Sequence, residues 1–392
     1  MVEYNPYAYE VHEDPFPVYR ALRDEAPLYR NEALGFWALS RHADVQAAIR
    51  DPARYSSANG VTLDPAATGD TARLAMSFLA MDPPLHTKMR ALVSRGFTPR
   101  RVSELAPRIR EICVAYLEEI APRGRNEFIE DFAGRVPMDV ISELLGVPTG
   151  DRDELRTLAD TLVHRPEGAV DVPPEGVAAF GRIRSYFKEL VEEREKRRRD
   201  DLISALLDAE VDGERLGAHE ILPFCNLMIV AGNETTTKLL ANALYWLWKN
   251  PRERGRVAAD PTLIPRWVEE TLRYDNSTQM LARTVSEEHE LHGRKLAVGD
   301  KLLLLIGSAN RDERVFEGAE RYDILRNTTA SLAFGQGAHF CLGASLARLE
   351  GRIALEEIWK RMPDYEVLPG GLERVHSVNV RGFSRMPLEF TP

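Results

Sequence analysis

The chain has 392 residues, 44% hydrophobic and 29% charged, with 51 basic and 61 acidic side chains and a net charge of −10. That balance argues against a non-specific nucleic-acid binder, and the hydrophobic share is that of an ordinary globular protein with a large core. Three widely spaced cysteines, Cys113, Cys225 and Cys341, with no C-x-x-C pair, argue against a disulfide framework or a zinc site and for a reducing compartment.

The first 27 residues carry acidic side chains and prolines but no long apolar run, so they read as neither a signal peptide nor an anchor. No later stretch reaches the length of a membrane span, and a cytoplasmic protein with no membrane partner is expected. Gly35–Leu39 reads as a strand. Ser56–Gly69, rich in Ser, Gly, Ala and Pro, reads as a loop; His86 and Arg90 follow, four apart and so on one helical face. Apolar residues recurring at three and four positions predict helices over Val102–Glu119, Asp151–Leu162, Val177–Arg199, Asp201–Ala209, Ala218–Trp248, Pro265–Tyr274 and Ala344–Lys360.

Asp201 and Ser345 suit caps or first turns. The prolines of His164–Glu175 block helix there and leave a second loop, a lid or a surface insertion. The basic run Arg194–Arg199 suits a solvated helix end, where cations complement the dipole. Lys301–Ile306, after the Gly299-Asp300 turn, and Tyr365–Val367 are the other strands. No internal repeat or low-complexity linker interrupts this order, and the sum is a mainly α protein with a minor β region.

Three segments carry chemistry. The first is Phe334-Gly335-Gln336-Gly337-Ala338-His339-Phe340-Cys341-Leu342-Gly343, just before the last helix. Glycines let backbone turn tightly against a flat ligand, and the helix aims its N–H groups and positive dipole end at the sulfur. That setting favours thiolate over thiol, and such a thiolate can ligate haem iron. The second is Ala231-Gly232-Asn233-Glu234-Thr235-Thr236, in the middle of an apolar helix, where glycine and threonine both work against helix. There Gly232 leaves room for a diatomic ligand, Thr235 holds a hydroxyl beside it, and Glu234 exchanges protons with solvent. The bland alternative is a kinked core helix with an exposed Glu234–Lys238 pair. The third is Glu270 and Arg273, three apart on one helix face, which by itself reads as a surface ion pair.

The cysteine segment resembles the haem-binding loop F-G-x-G-x-H-x-C-x-G of the cytochrome P450 family at every fixed position. The central-helix segment resembles the family's A/G-G-x-D/E-T, Glu270 and Arg273 its E-x-x-R, and Glu320-Arg321-Tyr322 its meander, with Tyr322 for the usual Phe and Ala319 for the usual Pro. The resemblance spans roughly residues 80 to 350. It implies a single P450 domain over 1–392, a triangular helical prism, with haem b between the central helix and the cysteine-loop helix.

The same resemblance implies Cys341 as iron ligand and Glu234–Thr235 as proton relay. His86, Arg90, Arg283 and His339 would meet the haem propionates; Ala231, Gly232, Phe334, Gly335 and Gly343 would lie against the macrocycle. Arg321 would complete a structural triad with Glu270 and Arg273. Substrate would meet Met228, Ala231, Gln279 and Leu281, the loops Val61–Leu79 and Gly168–Val177, and the turn Val378–Val380. The activity implied is monooxygenation of a small, largely lipophilic molecule with dioxygen. Oxidative coupling, desaturation and a non-catalytic haem sensor or carrier remain open. The chain carries no flavin or nicotinamide module, so a ferredoxin and its NAD(P)H-dependent reductase are the implied electron source, with Arg100, Arg101, Arg348 and Arg352 as the docking patch.

Overall fold

A 32-residue helix, Ala218–Lys249, runs through the middle of the protein; at 1.5 Å per residue it is about 48 Å long. It is apolar on nearly all sides, and only an element surrounded by others can bury such a surface. The computed structural model describes residues 2–211 and 213–392. Against the central helix pack Arg135–Leu145, Arg152–Val163, Pro174–Lys196, Ile264–Tyr274 and Ala344–Arg361, the helix that follows the cysteine loop. The architecture is mainly helical with small sheets, as expected.

Local chemistry sets most boundaries. Asp201 caps Leu202–Leu207 by accepting the Ser204 N–H at 2.8 Å. The single helix expected over Val102–Glu119 is two, Pro99–Glu104 and Ala106–Ile120, because Pro107 suits only a first turn. The helix expected from Val177 begins earlier, at Pro174, for the same reason.

The main sheet has five strands in the order Leu28–Asn31, Phe36–Leu39, Lys301–Leu304, Leu281–Val285, Tyr55–Ser56. Leu302 lies opposite Arg283 across an antiparallel pair. The run expected as a strand to Ile306 turns after Leu304 into the short helix Ile306–Ala309. One large core fills the helical part, and two smaller clusters lie beside the sheet. Among the described residues no helix is long and apolar enough to cross a membrane.

Candidate active site

Gly335 and Gly337 both sit at φ +67°, in the left-handed region that favours glycine, and carry the cysteine loop through its turns. The Cys341 N–H donates to the Phe334 carbonyl at 2.9 Å. The N–H groups of Gly343 and Ala344 then face the sulfur from the start of the following helix. Loss of hydration within the loop pushes the Cys341 thiol up although the residue keeps exposed surface, and those N–H groups, with Arg90 and Arg348, pull it down. The loop N–H groups and the two arginines favour the thiolate, and a cation bound at the sulfur would favour it further. Cys113 and Cys225 are buried thiols pushed far up by burial, and so inert.

Beside the loop lies a group of bases. Arg283 is 2% exposed and makes no ion pair among the described residues. Burial lowers it to about 10, with Asp82 pulling the other way. Asp82 itself is turned away, accepting from Ser56 Oγ and, at 2.8 Å, from the Ser57 N–H. The His86 and His339 rings lie 4.1 Å apart between centroids, and none of their four ring nitrogens makes a well-formed hydrogen bond among the described residues. Burial, then Arg283, His86 and Arg90, push His339 down to about 3. Burial also lowers Arg90, on the helix Leu85–Val93 with His86. A buried cation without an anion is costly, and polar atoms without partners are costly as well. Two carboxylates would satisfy this cradle, so the residues fit the propionates of haem.

On the central helix Ala231 is exposed and Thr235, one turn on, shares its face. Thr235 Oγ1 donates to the Ala231 carbonyl at 2.7 Å, and Ser277 Oγ donates to the Thr235 carbonyl at 2.6 Å. Gly232 faces elsewhere. A Cβ there would meet Ile141 Cγ1 at 3.2 Å, so this glycine allows close packing of Arg135–Leu145. The expectation that Gly232 makes room for a diatomic ligand is corrected: one residue turns the helix by about 100°, and the open face belongs to Ala231. Glu234 is also placed differently. Its side chain is 2% exposed and pairs with Lys238 at 3.3 Å, so it has no direct exchange with solvent, and the pair is not a surface one.

Glu270 and Arg273 form a fully buried pair at 2.7 Å, and Arg273 Nη1 donates to the Asn310 and Ala319 carbonyls. The third arginine is Arg326, whose Nε reaches Glu270 at 3.4 Å, and not Arg321. The Arg321 side chain is 65% exposed and pairs with Asp323; only its backbone carbonyl joins the group. Spacing in the sequence does not separate two arginines five apart on an irregular segment. Nor does it reveal Asp160 or Ser277, brought to the central helix from elsewhere in the chain.

The outer positions divide. The Thr278–Val380 bridge and the Gln279 N–H bond to Asn379 bring the turn Val378–Val380 beside Gln279–Leu281. Gln279 points its amide at the Asn276 carbonyl and packs on Gly307, while Leu281 opens the sheet strand and Met228 is buried on the central helix. The two expected loops are tied together by the buried pair Arg165–Asp64 at 3.2 Å. The basic patch is largely neutralised: Arg100 pairs with Glu104, Arg348 with Glu269 and Arg352 with Glu356, leaving Arg101 without an ion pair among the described residues.

A lone cysteine under a helix start, facing a cradle of unpaired bases, is the layout of a haem-thiolate enzyme. The family model for cytochrome P450 matches residues 176–362. A putative cytochrome P450 123 from Mycobacterium tuberculosis is 52% identical over 98% of this chain and 96% of its own length. A vitamin D(3) 25-hydroxylase from Pseudonocardia autotrophica is 38% identical over 97% and 94%. The crystal structure of CYP109E1 from Bacillus megaterium in complex with testosterone superposes with a TM-score of 0.91 at 33% identity, covering 98% of this chain and 99% of that one. The chain belongs to the cytochrome P450 family. It is a monooxygenase that carries haem b, uses dioxygen on a small molecule and depends on a redox partner for electrons.

Proposed function

We propose that this enzyme hydroxylates or epoxidises a lipophilic molecule with a polar end, of sterol-like size, with electrons from a ferredoxin kept reduced by an NAD(P)H-dependent reductase. A cleft of about 780 Å³ lies against the N-terminal part of the central helix, about two turns before Ala231 and Thr235, which do not line it. Leu74, Met81 and Leu222 give it an apolar lining, and Arg184, Lys188 and Glu192 a charged rim. Such a cleft suits an apolar body whose polar end stays at the mouth. The observation that carries the substrate class is the similarity to a vitamin D(3) 25-hydroxylase and to a P450 solved in complex with testosterone.

The overall change takes substrate, dioxygen, two electrons and two protons to oxygenated substrate and water. Haem b, when bound, supplies the centre at which dioxygen is activated. The chain's own residues do the rest. Cys341 Sγ would hold the group, and Arg90, Arg283, His86 and His339 would hold its carboxylates. The backbone of Phe334, Gly335 and Gly343 shapes the surface against it. Ala231 and Thr235 face the reacting side, Thr235 Oγ1 positions a proton there, and Glu234 resupplies it. Glu270, Arg273 and Arg326 keep the segment behind the cysteine loop in place.

The test is optical and chemical. Titrating haem-loaded protein with sterols, fatty acids and polar amines should shift the spin state from low to high with sterols first. With ferredoxin, reductase and labelled dioxygen, one labelled oxygen atom should then appear in the product. A shift with the polar amines alone, or product without label, overturns the proposal.

A further inference from the structure

Glu234 needs a path to water that its own burial denies. Its side chain is 2% exposed, enclosed by Lys238 at 3.3 Å and by the helix Arg152–Val163, which packs across the central helix. From that helix Asp160 reaches over. Its side chain is 47% exposed, so it stands with one edge in water and the other against Glu234. Asp160 and Glu234 line one cleft of about 490 Å³, together with Lys238, His164 and Glu175. We propose that Asp160 is the proton-uptake residue of this enzyme, taking protons from that cleft and passing them to Glu234 through a carboxyl–carboxylate hydrogen bond.

The argument is one of donors and acceptors. The two carboxyls share the cleft, and because two ionised carboxylates are acceptors only, a hydrogen bond between them requires one proton on the pair. Lys238 decides which member keeps it, because its ammonium lies against Glu234 Oε2 and favours that carboxylate. Loss of hydration on the edge turned toward Glu234, and the Glu234 carboxylate itself, push Asp160 up, against the weaker pull of Lys238 and Arg156. Asp160 is therefore the donor and Glu234 the acceptor. The titratable and charged groups around them are Arg156, 3.9 Å from Asp160 on its own helix, Lys238 on the central helix, and His164 and Glu175 at the cleft wall. The C-terminal segments contribute Val375 and Ser384 to the lining, which also includes Ile129. Asp160 touches neither cofactor nor substrate, so it acts through Glu234, and the inference rests on the relay reading of Glu234 and Thr235.

Infrared difference spectra of haem-loaded ferric protein with labelled aspartate test it without turnover. A protonated-aspartate carbonyl band should be present at neutral pH, fade on the alkaline side and be missing in Asp160→Asn. In turnover, Asp160→Asn should lower kcat about tenfold and enlarge the solvent isotope effect, with the substrate spin-shift affinity unchanged. Asp160→Glu should restore both, and Asp160→Asn with Glu234→Gln should be no worse than Glu234→Gln alone. A missing band in the wild-type protein, or a wild-type isotope effect in Asp160→Asn while Glu234→Gln is impaired, overturns the inference and leaves the relay standing. If Glu234→Gln and Thr235→Ala both turn over as wild type, with no added peroxide, the relay reading itself falls.

Discussion

Gly232 shows how one missing carbon can be assigned to the wrong task. Its position in a family-like motif suggests space for a ligand, but the direction of its absent Cβ is toward Ile141. Gly232→Ala should gain about 1 kcal/mol of helix propensity and lose about 1–3 kcal/mol to overpacking against a buried Ile. The expected net is a lower melting temperature that Ile141→Val partly restores, with coupling of electrons to product unchanged. Uncoupling in Gly232→Ala would return the residue to the ligand side. Arg283 makes the complementary point: a guanidinium 2% exposed and without an ion pair among the described residues is a cost in the chain alone, and its sense lies in the carboxylates it would meet.

At the scale of elements, the helix Ile264–Tyr274 is pinned to the irregular segment 316–326 by Glu270. That carboxylate takes the Arg273 fork at 2.7 and 2.8 Å, the Asp323 N–H at 2.9 Å and Arg326 Nε. Removing one partner leaves buried charge unmatched, so Glu270→Ala should destabilise by about 3–5 kcal/mol. Arg326→Ala should cost about 1.5–3 kcal/mol through its charged hydrogen bonds, while Arg321→Ala should stay within about 0.5 kcal/mol. Urea titrations of the three variants check this ranking, and equal effects at Arg321 and Arg326 would refute it. The central helix is tied differently: Thr236 meets Glu350 of the cysteine helix, a carboxyl pushed well up by burial and with no cation beside it among the described residues.

Over the whole molecule, Asp275 is where distant parts of the chain meet. It accepts from Arg381 Nε and Trp246 Nε1, both at 2.8 Å, while Arg381 also donates to the His12 and Glu13 carbonyls near the N-terminus. Burial alone would raise the Asp275 carboxyl, but Arg381, then Arg374 and Arg311, hold it below the ordinary value. A depressed carboxyl stabilises the fold fully above its unfolded value of about 3.9 and loses that contribution as pH falls through the folded value. Asp275→Asn should therefore be less stable at neutral pH and show a shallower loss of stability below about pH 4. Parallel acid-unfolding curves for the two proteins would contradict this.

The cysteine loop, the long helix and the E-x-x-R pair were legible in the sequence because each is local: a few residues at fixed spacing, on one turn or one helix face. Composition and periodicity likewise sufficed for a mainly helical protein, with Pro107 and Pro174 shifting boundaries by a few residues. Tertiary structure alone decided which residues complete those groups. Arg326 instead of Arg321, Asp160 behind Glu234, Ile141 behind Gly232 and the convergence of His86, Arg90, Arg283 and His339 are contacts between segments far apart in sequence or on irregular backbone. Spacing fixes only neighbours on the same turn; burial and the direction of each Cα–Cβ bond, set by how helices and strands pack, fix the rest.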